Sequence, residues 1–241
     1  EIIRPAVRSY FEQVAAVFGP RVDSIYLHGS VATDDYLPGQ SDVNALVLFD
    51  LFHFTDAQRL QPVVQGGLKH RIAAPLCLSV NTLKRSTDTF PLEFIEIQDK
   101  HLFLYGDTNR IDSLEIPMEH LRVKIEEQIK GKLIRLRQIY MEHRGLDRQL
   151  TSLLVDAQKQ LFPVLRNLLR FVGITAPPLN KDMILQALET RLRFSVIPLR
   201  RIWEQMAGRA AIPASEAVQV YGEYIEVLAR LADLIDRWER P

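Results

Sequence analysis

Two short apolar runs with polar residues at their facing ends are the feature that most constrains the fold of this chain. The first run, residues 24–28, ends in Gly29-Ser30, and the second, residues 43–49, begins directly after Ser41-Asp42 and carries Asn44. Apolar runs of this length, bounded by Gly, Ser and Asp, predict β-strands. We therefore expect two neighbouring strands whose polar side chains gather where the first strand ends and the second begins.

The N-terminal part of the chain alternates predicted helices and strands. Helical spacing of apolar residues predicts an opening helix that Gly19-Pro20 ends, and residues 55–58, which have the form of a capping box, predict a second helix. Residues 98–100 are predicted to form the turn of a hairpin. The predicted helices span 2–18 and 56–68, and the predicted strands span 24–28, 43–49, 76–80, 92–97 and 102–105.

After about Pro117 the strand signal gives way to long helical periodicities. Two apolar stripes predict packed helices, and further helices are expected after Asn180, around 198–206 and over 215–238. Helices in this succession are typical of an antiparallel bundle. We therefore predict an α+β chain: a mixed β-sheet with flanking helices over residues 1–115, followed by an all-α helical bundle over residues 116–241.

The charge composition argues against a general binder of nucleic acid or of membrane surfaces, because 30 Lys and Arg balance 30 Asp and Glu. The balance is uneven along the chain: residues 1–115 carry 10 Lys and Arg against 15 Asp and Glu, and residues 116–241 carry 20 against 15. No run of about 18 apolar residues predicts a membrane span. The single cysteine, Cys77, excludes an intrachain disulfide, so we expect a cytoplasmic protein.

The polar residues at the two strand ends suit a phosphate-binding site. A glycine at a strand end lets a phosphate approach the backbone without a Cβ in the way, and a following serine offers a hydroxyl and an amide. Gly29 and Ser30 meet that need, and we assign Ser41 to the same group. Asp42 and Asn44 lie two residues apart on a strand, so their side chains leave the same face. Taken alone, however, Gly-Ser is more often a structural turn.

Together these residues resemble the signature of the DNA polymerase β-like nucleotidyltransferase superfamily. The resemblance rests on His28-Gly29-Ser30, eleven intervening residues and Asp42-Val43-Asn44, and it covers roughly residues 26–107. Residues 90–94 and 104–107 also resemble the closing strands of a subgroup of bacterial nucleotidyltransferases. The resemblance extends with lower specificity to the helical half, because aminoglycoside-type and minimal nucleotidyltransferases commonly carry a helical bundle there.

This resemblance implies a reaction and a set of ligands. The reaction is transfer of a nucleoside monophosphate from ATP or another nucleoside triphosphate to a hydroxyl of an acceptor that the sequence does not identify. Two Mg²⁺ ions held by three acidic residues would assist it. By position, Asp42 and Asn44 become the candidate catalytic residues and metal ligands, and Gly29, Ser30 and Ser41 become the candidate nucleotide-binding residues.

The chain departs from that signature at two of the three acidic positions. Asp42 matches the first acid and Asn44 stands at the second. The third is expected on the strand over 76–80, whose outward-facing alternates are predicted to be Cys77 and Ser79. An amide oxygen ligates Mg²⁺ but adds no negative charge and cannot accept a proton as a base. With one acid of three, we expect weak metal binding and poor activation of an attacking hydroxyl.

Substitutes for the missing acids are not evident in the sequence. Asp34, Asp35 and Asp88 are better explained as exposed loop residues, and at most one of Glu93 and Glu96 is expected to reach the site. His28 at the strand end is more often a packed histidine than a phosphate ligand. The basic residues of the first long helix, between Lys124 and Arg148, are most often a solvated helix face.

Three functions remain open from the sequence. The first is an active nucleotidyltransferase that uses Mg²⁺ and ATP or another nucleoside triphosphate. The second is a catalytically degenerate relative that binds a nucleotide, or nothing, and acts as a regulatory module. The third is an interaction protein whose helical half forms a homodimer or another partner surface.

Overall fold

The computed structural model describes residues 5–32, 41–142, 147–193 and 195–238. The chain divides into two compact units, Glu1–Pro117 and Met118–Pro241. The first unit contains a mixed β-sheet flanked by helices, and the described part of the second unit is helical. The predicted α+β fold class is confirmed.

The sheet of the first unit has four strands in the order β3-β2-β1-β4. Strand β1 pairs antiparallel with both β2 and β4, whereas β2 pairs parallel with β3. The elements of this unit are α1 (Pro5–Phe18), β1 (Val22–His28), β2 (Asn44–Phe49), α2 (Phe54–Leu68), β3 (Leu76–Ser79), α3 (Val80–Arg85), α4 (Pro91–Asp99) and β4 (His101–Gly106).

Each face of the sheet is covered by its own hydrophobic cluster. Side chains alternate between the two faces of a strand, so Val47 of β2 packs with α1 and α2 while Leu46 and Leu48 pack with α3 and α4. The central strands β1 and β2 are therefore almost wholly buried, and Ile25 and Leu46 have no exposed surface. This burial leaves the strand ends as the places where polar side chains reach solvent.

The prediction of a strand over 92–97 is wrong, because these residues belong to helix α4. Pro91 occupies its first turn, where a fixed φ and a missing N–H are tolerated. Phe94 and Ile97, three residues apart, bury their side chains against the sheet. A six-residue apolar run does not separate helix from strand by periodicity alone. The predicted hairpin turn over 98–100 is also wrong, since it is the end of α4 and leads into β4.

Helix α2 begins two residues earlier than predicted, and its cap differs from the predicted one. Thr55 does not cap it: the carboxylate of Asp56 accepts a hydrogen bond of 2.9 Å from the backbone N–H of His53. The same carboxylate receives two hydrogen bonds from Arg21, of 2.8 and 2.7 Å, although Asp56 is only 3% exposed. Asp56 thus joins the start of α2 to Arg21, the residue just before β1.

The second unit is built from five helices within its described residues. They are α5 (Leu121–Glu142), α6 (Asp147–Phe171), α7 (Lys181–Leu192), α8 (Ile197–Met206) and α9 (Ala217–Arg237). Asn180 caps α7 as predicted, because its side chain accepts a hydrogen bond from the N–H of Met183. The predicted apolar stripes are largely buried, although Tyr140 is 47% exposed and stacks on Tyr221.

Several basic side chains of α5 pair with acidic residues in the described structure, and the side chains of Arg144 and Arg148 lie outside it. Lys124 pairs with Glu127 at 2.9 Å, and Lys130 pairs with Glu126. Pairs of this kind within one helix are typical of a solvated face, in agreement with the sequence interpretation. None of the helices over the described ranges is long and apolar enough to cross a membrane.

The ionised carboxylate of Asp56 is expected to make the stability of the fold depend on pH under acidic conditions. Hydrogen bonds from Arg21 and from the backbone of His53 lower the pKa of Asp56 from 3.8 to about 2. A lowered pKa stabilises the fold above the unfolded value and loses that contribution as the pH falls through the folded value. We expect Asp56→Asn to lower the midpoint of thermal unfolding by several degrees at pH 7, and the difference from wild type to shrink between about pH 4 and pH 2.

Thermal denaturation followed by circular dichroism across that pH range measures the effect. Glu12→Gln, which removes an exposed carboxylate from α1, is the matched control and should shift the midpoint little. An Asp56→Asn difference that stays constant down to pH 2 would show that the carboxylate charge is not what stabilises the start of α2.

Candidate functional site

The predicted strand ends lie side by side at one edge of the sheet. His28, the last residue of β1, pairs with Asn44, the first residue of β2. The Asn44 side chain lies beside Gly29: a Cβ at position 29 would be 3.4 Å from Nδ2 of Asn44. Ser30 follows in a 3-10 turn over Gly29–Ala32. The structure therefore brings Gly29 and Ser30 beside the start of β2, as the sequence predicts.

The backbone conformation of Gly29 favours glycine over any residue that has a Cβ. Its φ is +76°, which side chains with a Cβ adopt only at a cost. A positive φ followed by a helical turn can direct successive N–H groups toward the same side, and such concavities bind anions. The turn after β1 thus has a backbone suited to approach by a phosphate.

Asp42 lies just before β2 and makes an ion pair with a residue that the sequence analysis did not single out. Its Oδ1 is 3.0 Å from Nη2 of Arg71, and both side chains are about half exposed, 59% and 47%. The neighbouring backbone is tied as well, because the N–H of Val43 donates a hydrogen bond of 2.8 Å to the carbonyl of Arg71. Ser41, half-buried, precedes Asp42 directly.

Arg71 is fixed by the way helix α2 ends. The N–H of Ile72 bonds to the carbonyl of Gly67 at 3.0 Å, and the N–H of Arg71 bonds to that of Leu68 at 3.1 Å. This is the Schellman pattern, in which the residue after the cap takes a left-handed conformation and is usually glycine. Here that residue is Arg71, with a φ of +60°. Ile72 then forms a parallel bridge to Val43, which holds Arg71 beside the start of β2.

The prediction that Cys77 and Ser79 occupy the third acidic position is wrong about the face of the strand. In the parallel register Leu46 is opposite Leu76 and Leu48 is opposite Leu78, so Leu76 and Leu78 share a face with Asn44. Cys77 packs against the cluster under α1 and α2, and burial raises the pKa of its thiol to about 12. Ser79 caps α3 by accepting a hydrogen bond of 3.0 Å from the N–H of Thr82.

The register nevertheless strengthens the conclusion that β3 supplies no acid. Both residues of β3 on the Asn44 face are leucines. Among the other acids considered, Glu96 pairs with Lys100 at 3.6 Å, and Asp88 accepts a hydrogen bond from the hydroxyl of Thr89. Because α4 is a helix, the predicted placement of Glu93 and Glu96 on opposite faces of a strand does not apply. Asp34 and Asp35 lie outside the described residues.

Burial favours the neutral form of the histidine at the end of β1. His28 is half-buried, and burial lowers the pKa of its imidazole from 6.5. On the next strand His101 is opposite His28, and its Nδ1 lies 3.0 Å from the carbonyl of Ile97. The sequence interpretation of His28 as a packed histidine agrees with this placement. The positive charge beside Asp42 therefore comes from Arg71.

The described residues at this edge do not fit the two Mg²⁺ ions that the resemblance implies. Hard dications are held mainly by carboxylates, and here one carboxylate, already in contact with a guanidinium, stands next to an amide. Across the described ranges there is no group of three or more His, Cys, Asp or Glu side chains placed to hold a metal ion. Asp42 and Asn44 thus form at most part of a metal site.

Arg71 is the site residue that sequence analysis missed. The signal in the sequence was faint: a basic run, Lys69-His70-Arg71, follows the apolar pattern of α2. Its contact with Asp42 depends on the parallel bridge between Val43 and Ile72, which a local sequence pattern does not predict. The residues of the site therefore come from three chain segments, of which the sequence identified two.

Comparison with known proteins gives a family and a fold. The family model described as "Nucleotidyltransferase domain" matches residues 7–158. A spectinomycin adenyltransferase from Enterococcus faecialis, solved with ATP and spectinomycin, superposes with a TM-score of 0.55 at 12% sequence identity, over 93% of this chain and 97% of that one. At this identity the likeness shows the fold alone. No curated protein sequence matches the chain.

A second solved structure is more distant in shape. It is a nucleotidyltransferase-like protein from Exiguobacterium sibiricum, 16% identical, and the match covers 95% of this chain and 75% of that one with a TM-score of 0.34. The family match, by contrast, spans well over half of the sequence and includes every candidate site residue. This chain belongs to the nucleotidyltransferase domain family.

Proposed function

We propose that the chain binds a nucleoside triphosphate at the sheet edge formed by Gly29, Ser30, Ser41 and Asp42, and that it carries out Mg²⁺-dependent nucleotidyl transfer poorly. One observation carries the proposal: the turn at Gly29 lies against a β2 start that bears one carboxylate and one amide. The turn supports phosphate binding, and the single carboxylate argues against efficient transfer. ATP is the first nucleotide to test.

The binding half of the proposal rests on the backbone. Gly29 presents no Cβ, so an oxygen of a phosphate can come within hydrogen-bonding distance of the main-chain N–H groups of the turn. Ser30 and Ser41 add hydroxyl groups on either side of the intervening segment. The family assignment agrees with a nucleotide as the ligand, since nucleotidyl transfer in general starts from a bound nucleoside triphosphate.

The catalytic half rests on the charge count. Two metal ions clamp the attacking and leaving oxygens in such displacements, and carboxylates hold those ions. Asn44 contributes an amide oxygen without charge, and the β3 residues on the same face are Leu76 and Leu78. Neither an amide nor a leucine can take a proton from an attacking hydroxyl. We therefore expect little activation of an acceptor hydroxyl.

Mg²⁺-dependent transfer to a hydroxyl is the second candidate function, and the family match favours it. The neighbour with this fold is named an adenyltransferase and was solved with ATP and spectinomycin, which suggests ATP as nucleotide and a small hydroxylated compound as acceptor. This candidate requires that the remaining charge at the metal site comes from the acceptor, the nucleotide or residues outside the described ranges. A homodimer through the helical unit stays a prediction.

A substitution at Asn44 separates the two candidates. Asn44→Asp places a second carboxylate two residues from Asp42, on the same face, and should raise Mg²⁺ affinity by about tenfold or more. Isothermal titration calorimetry with Mg²⁺ measures that gain, and transfer from an α-phosphate-labelled nucleotide measures activity. Asn81→Asp, which adds the same charge to the exposed side of α3, is the control.

On our proposal the wild type transfers no faster than Asp42→Asn, and Asn44→Asp gains metal affinity. Fast Mg²⁺-dependent transfer by the wild type that disappears in Asp42→Asn would instead establish the second candidate. In that event the single carboxylate is sufficient, and the proposal of poor transfer is wrong.

A substitution at Gly29 tests the binding half. Gly29→Ala forces a Cβ into a φ of +76°, which costs about 1–2 kcal/mol, and it blocks the approach of a phosphate to the turn. We expect ATP affinity, measured by calorimetry, to fall by about tenfold or more. Gly66→Ala is the matched control, because a Cβ there meets nothing within 4 Å on the exposed side of α2. Equal ATP affinity in both variants would place the nucleotide elsewhere.

A further inference from the structure

A guanidinium contacts the carboxylate that the resemblance implies as a metal ligand. The carboxylate of Asp42 is the predicted first metal ligand, and its Oδ1 is 3.0 Å from Nη2 of Arg71. A hydrogen-bonded guanidinium and a coordinated metal compete for the same carboxylate oxygens. The positive charge at the start of β2 is thus built into the chain.

Two backbone features keep Arg71 in this place. Its carbonyl accepts the hydrogen bond from Val43 N–H, and Ile72, which is 1% exposed, anchors the next residue in the core. Its left-handed φ of +60° is unfavourable for a residue with a side chain, and glycine is the usual choice at this position of a Schellman motif. Strained residues of this kind cluster at functional sites.

The position of Arg71 relative to the turn at Gly29 follows from the strand order. β1 pairs with β2, so Gly29 lies on one side of the β2 start, and the bridge from Val43 to Ile72 places Arg71 on the other side. Neighbouring strands are spaced by about 4.8 Å, so the two flank Asp42 within the span of a triphosphate.

We propose that the guanidinium of Arg71 binds the triphosphate of the nucleotide, so that the site takes a nucleoside triphosphate without a divalent metal. Asp42 is then an anion that Arg71 contacts when no nucleotide is bound, and a phosphate displaces it. An ion pair between two half-exposed side chains contributes little stability, whereas guanidinium and phosphate form bidentate, charge-assisted hydrogen bonds. This inference rests on the proposed nucleotide binding and adds the group that holds the phosphates.

Titration of ATP in the presence of EDTA tests the inference, because chelation removes the divalent metal. We expect the wild type to bind ATP under these conditions and Arg71→Gln to weaken binding by about tenfold or more, as the loss of a charge-assisted hydrogen bond predicts. Arg71→Lys keeps the charge but loses the bidentate geometry, so its affinity should fall between the two.

Lys69→Gln is the control for general electrostatic attraction. Lys69 is exposed and lies two residues before Arg71, so its removal lowers the local positive charge equally. We expect its ATP affinity to stay within about twofold of wild type, since a solvent-screened charge contributes little. A loss in Lys69→Gln as large as that in Arg71→Gln would overturn the assignment of a specific contact.

The effect of Asp42→Asn on ATP affinity distinguishes binding of the phosphates by Arg71 from binding through a metal ion. If Arg71 binds the triphosphate, removal of the competing carboxylate should tighten ATP binding in EDTA by a few-fold. If Asp42 holds a metal that in turn holds the phosphates, the same substitution should abolish ATP binding in Mg²⁺ and change nothing in EDTA. Weaker binding of ATP to Asp42→Asn in EDTA would also overturn the inference.

Arg71→Gly shows whether a loss of ATP affinity comes from the missing guanidinium or from a folding defect. Glycine suits the left-handed φ of +60°, so this variant should unfold at the same temperature as wild type or higher while it loses ATP affinity in EDTA. Binding that is retained in Arg71→Gly contradicts the inference.

The outcome for the wild type separates this inference from the proposed function. No ATP binding with either Mg²⁺ or EDTA sinks the proposed function itself. Binding that requires Mg²⁺ and is unaffected by Arg71→Gln leaves the proposed nucleotide site standing and overturns only the role of Arg71.

Discussion

The pairing of β2 with strands on both sides is the constraint on which the site depends. Its antiparallel partner β1 places Gly29 and Ser30 at the start of β2, and the parallel bridge between Val43 and Ile72 places Arg71, from the end of α2, at the same point. Hydrophobic clusters on both faces fix this sheet, because a shift of one residue in register would move Asn44, Leu46 and Leu48 together to the opposite face. The polar edge is therefore held in place by apolar packing.

The edge of the sheet has the fold of a nucleotidyltransferase site but fewer described carboxylates than a two-metal site needs. The fold and the family are those of nucleotidyltransferases, and the turn at Gly29 suits a phosphate. The carboxylates that would hold metal ions are reduced to Asp42 in the described structure, and Asp42 contacts a guanidinium. Binding a triphosphate and activating a hydroxyl are separate requirements, and on our account this chain keeps the first and has largely lost the second.

The sequence predicted most of what local patterns determine. It predicted the strand ends at the site, the mixed sheet and the helical second unit. It failed where tertiary context decides: the six apolar residues of α4 suit either a helix or a strand until Pro91 and the core contacts are known. The face on which Cys77 lies depends on the parallel register, and Arg71 reaches Asp42 only through a bridge between distant segments.

The number of divalent ions that the chain binds depends on its carboxylates, and at the candidate site Asp42 is the carboxylate that the described structure shows. Mn²⁺ suits the same oxygen ligands as Mg²⁺, and its electron paramagnetic resonance signal reports the unbound ion. Titration of the full chain with Mn²⁺ should show no tight site, and Asp42→Asn should leave the titration unchanged. Tight binding of two ions per chain that is lost in Asp42→Asn would contradict the account and restore a metal-dependent transferase.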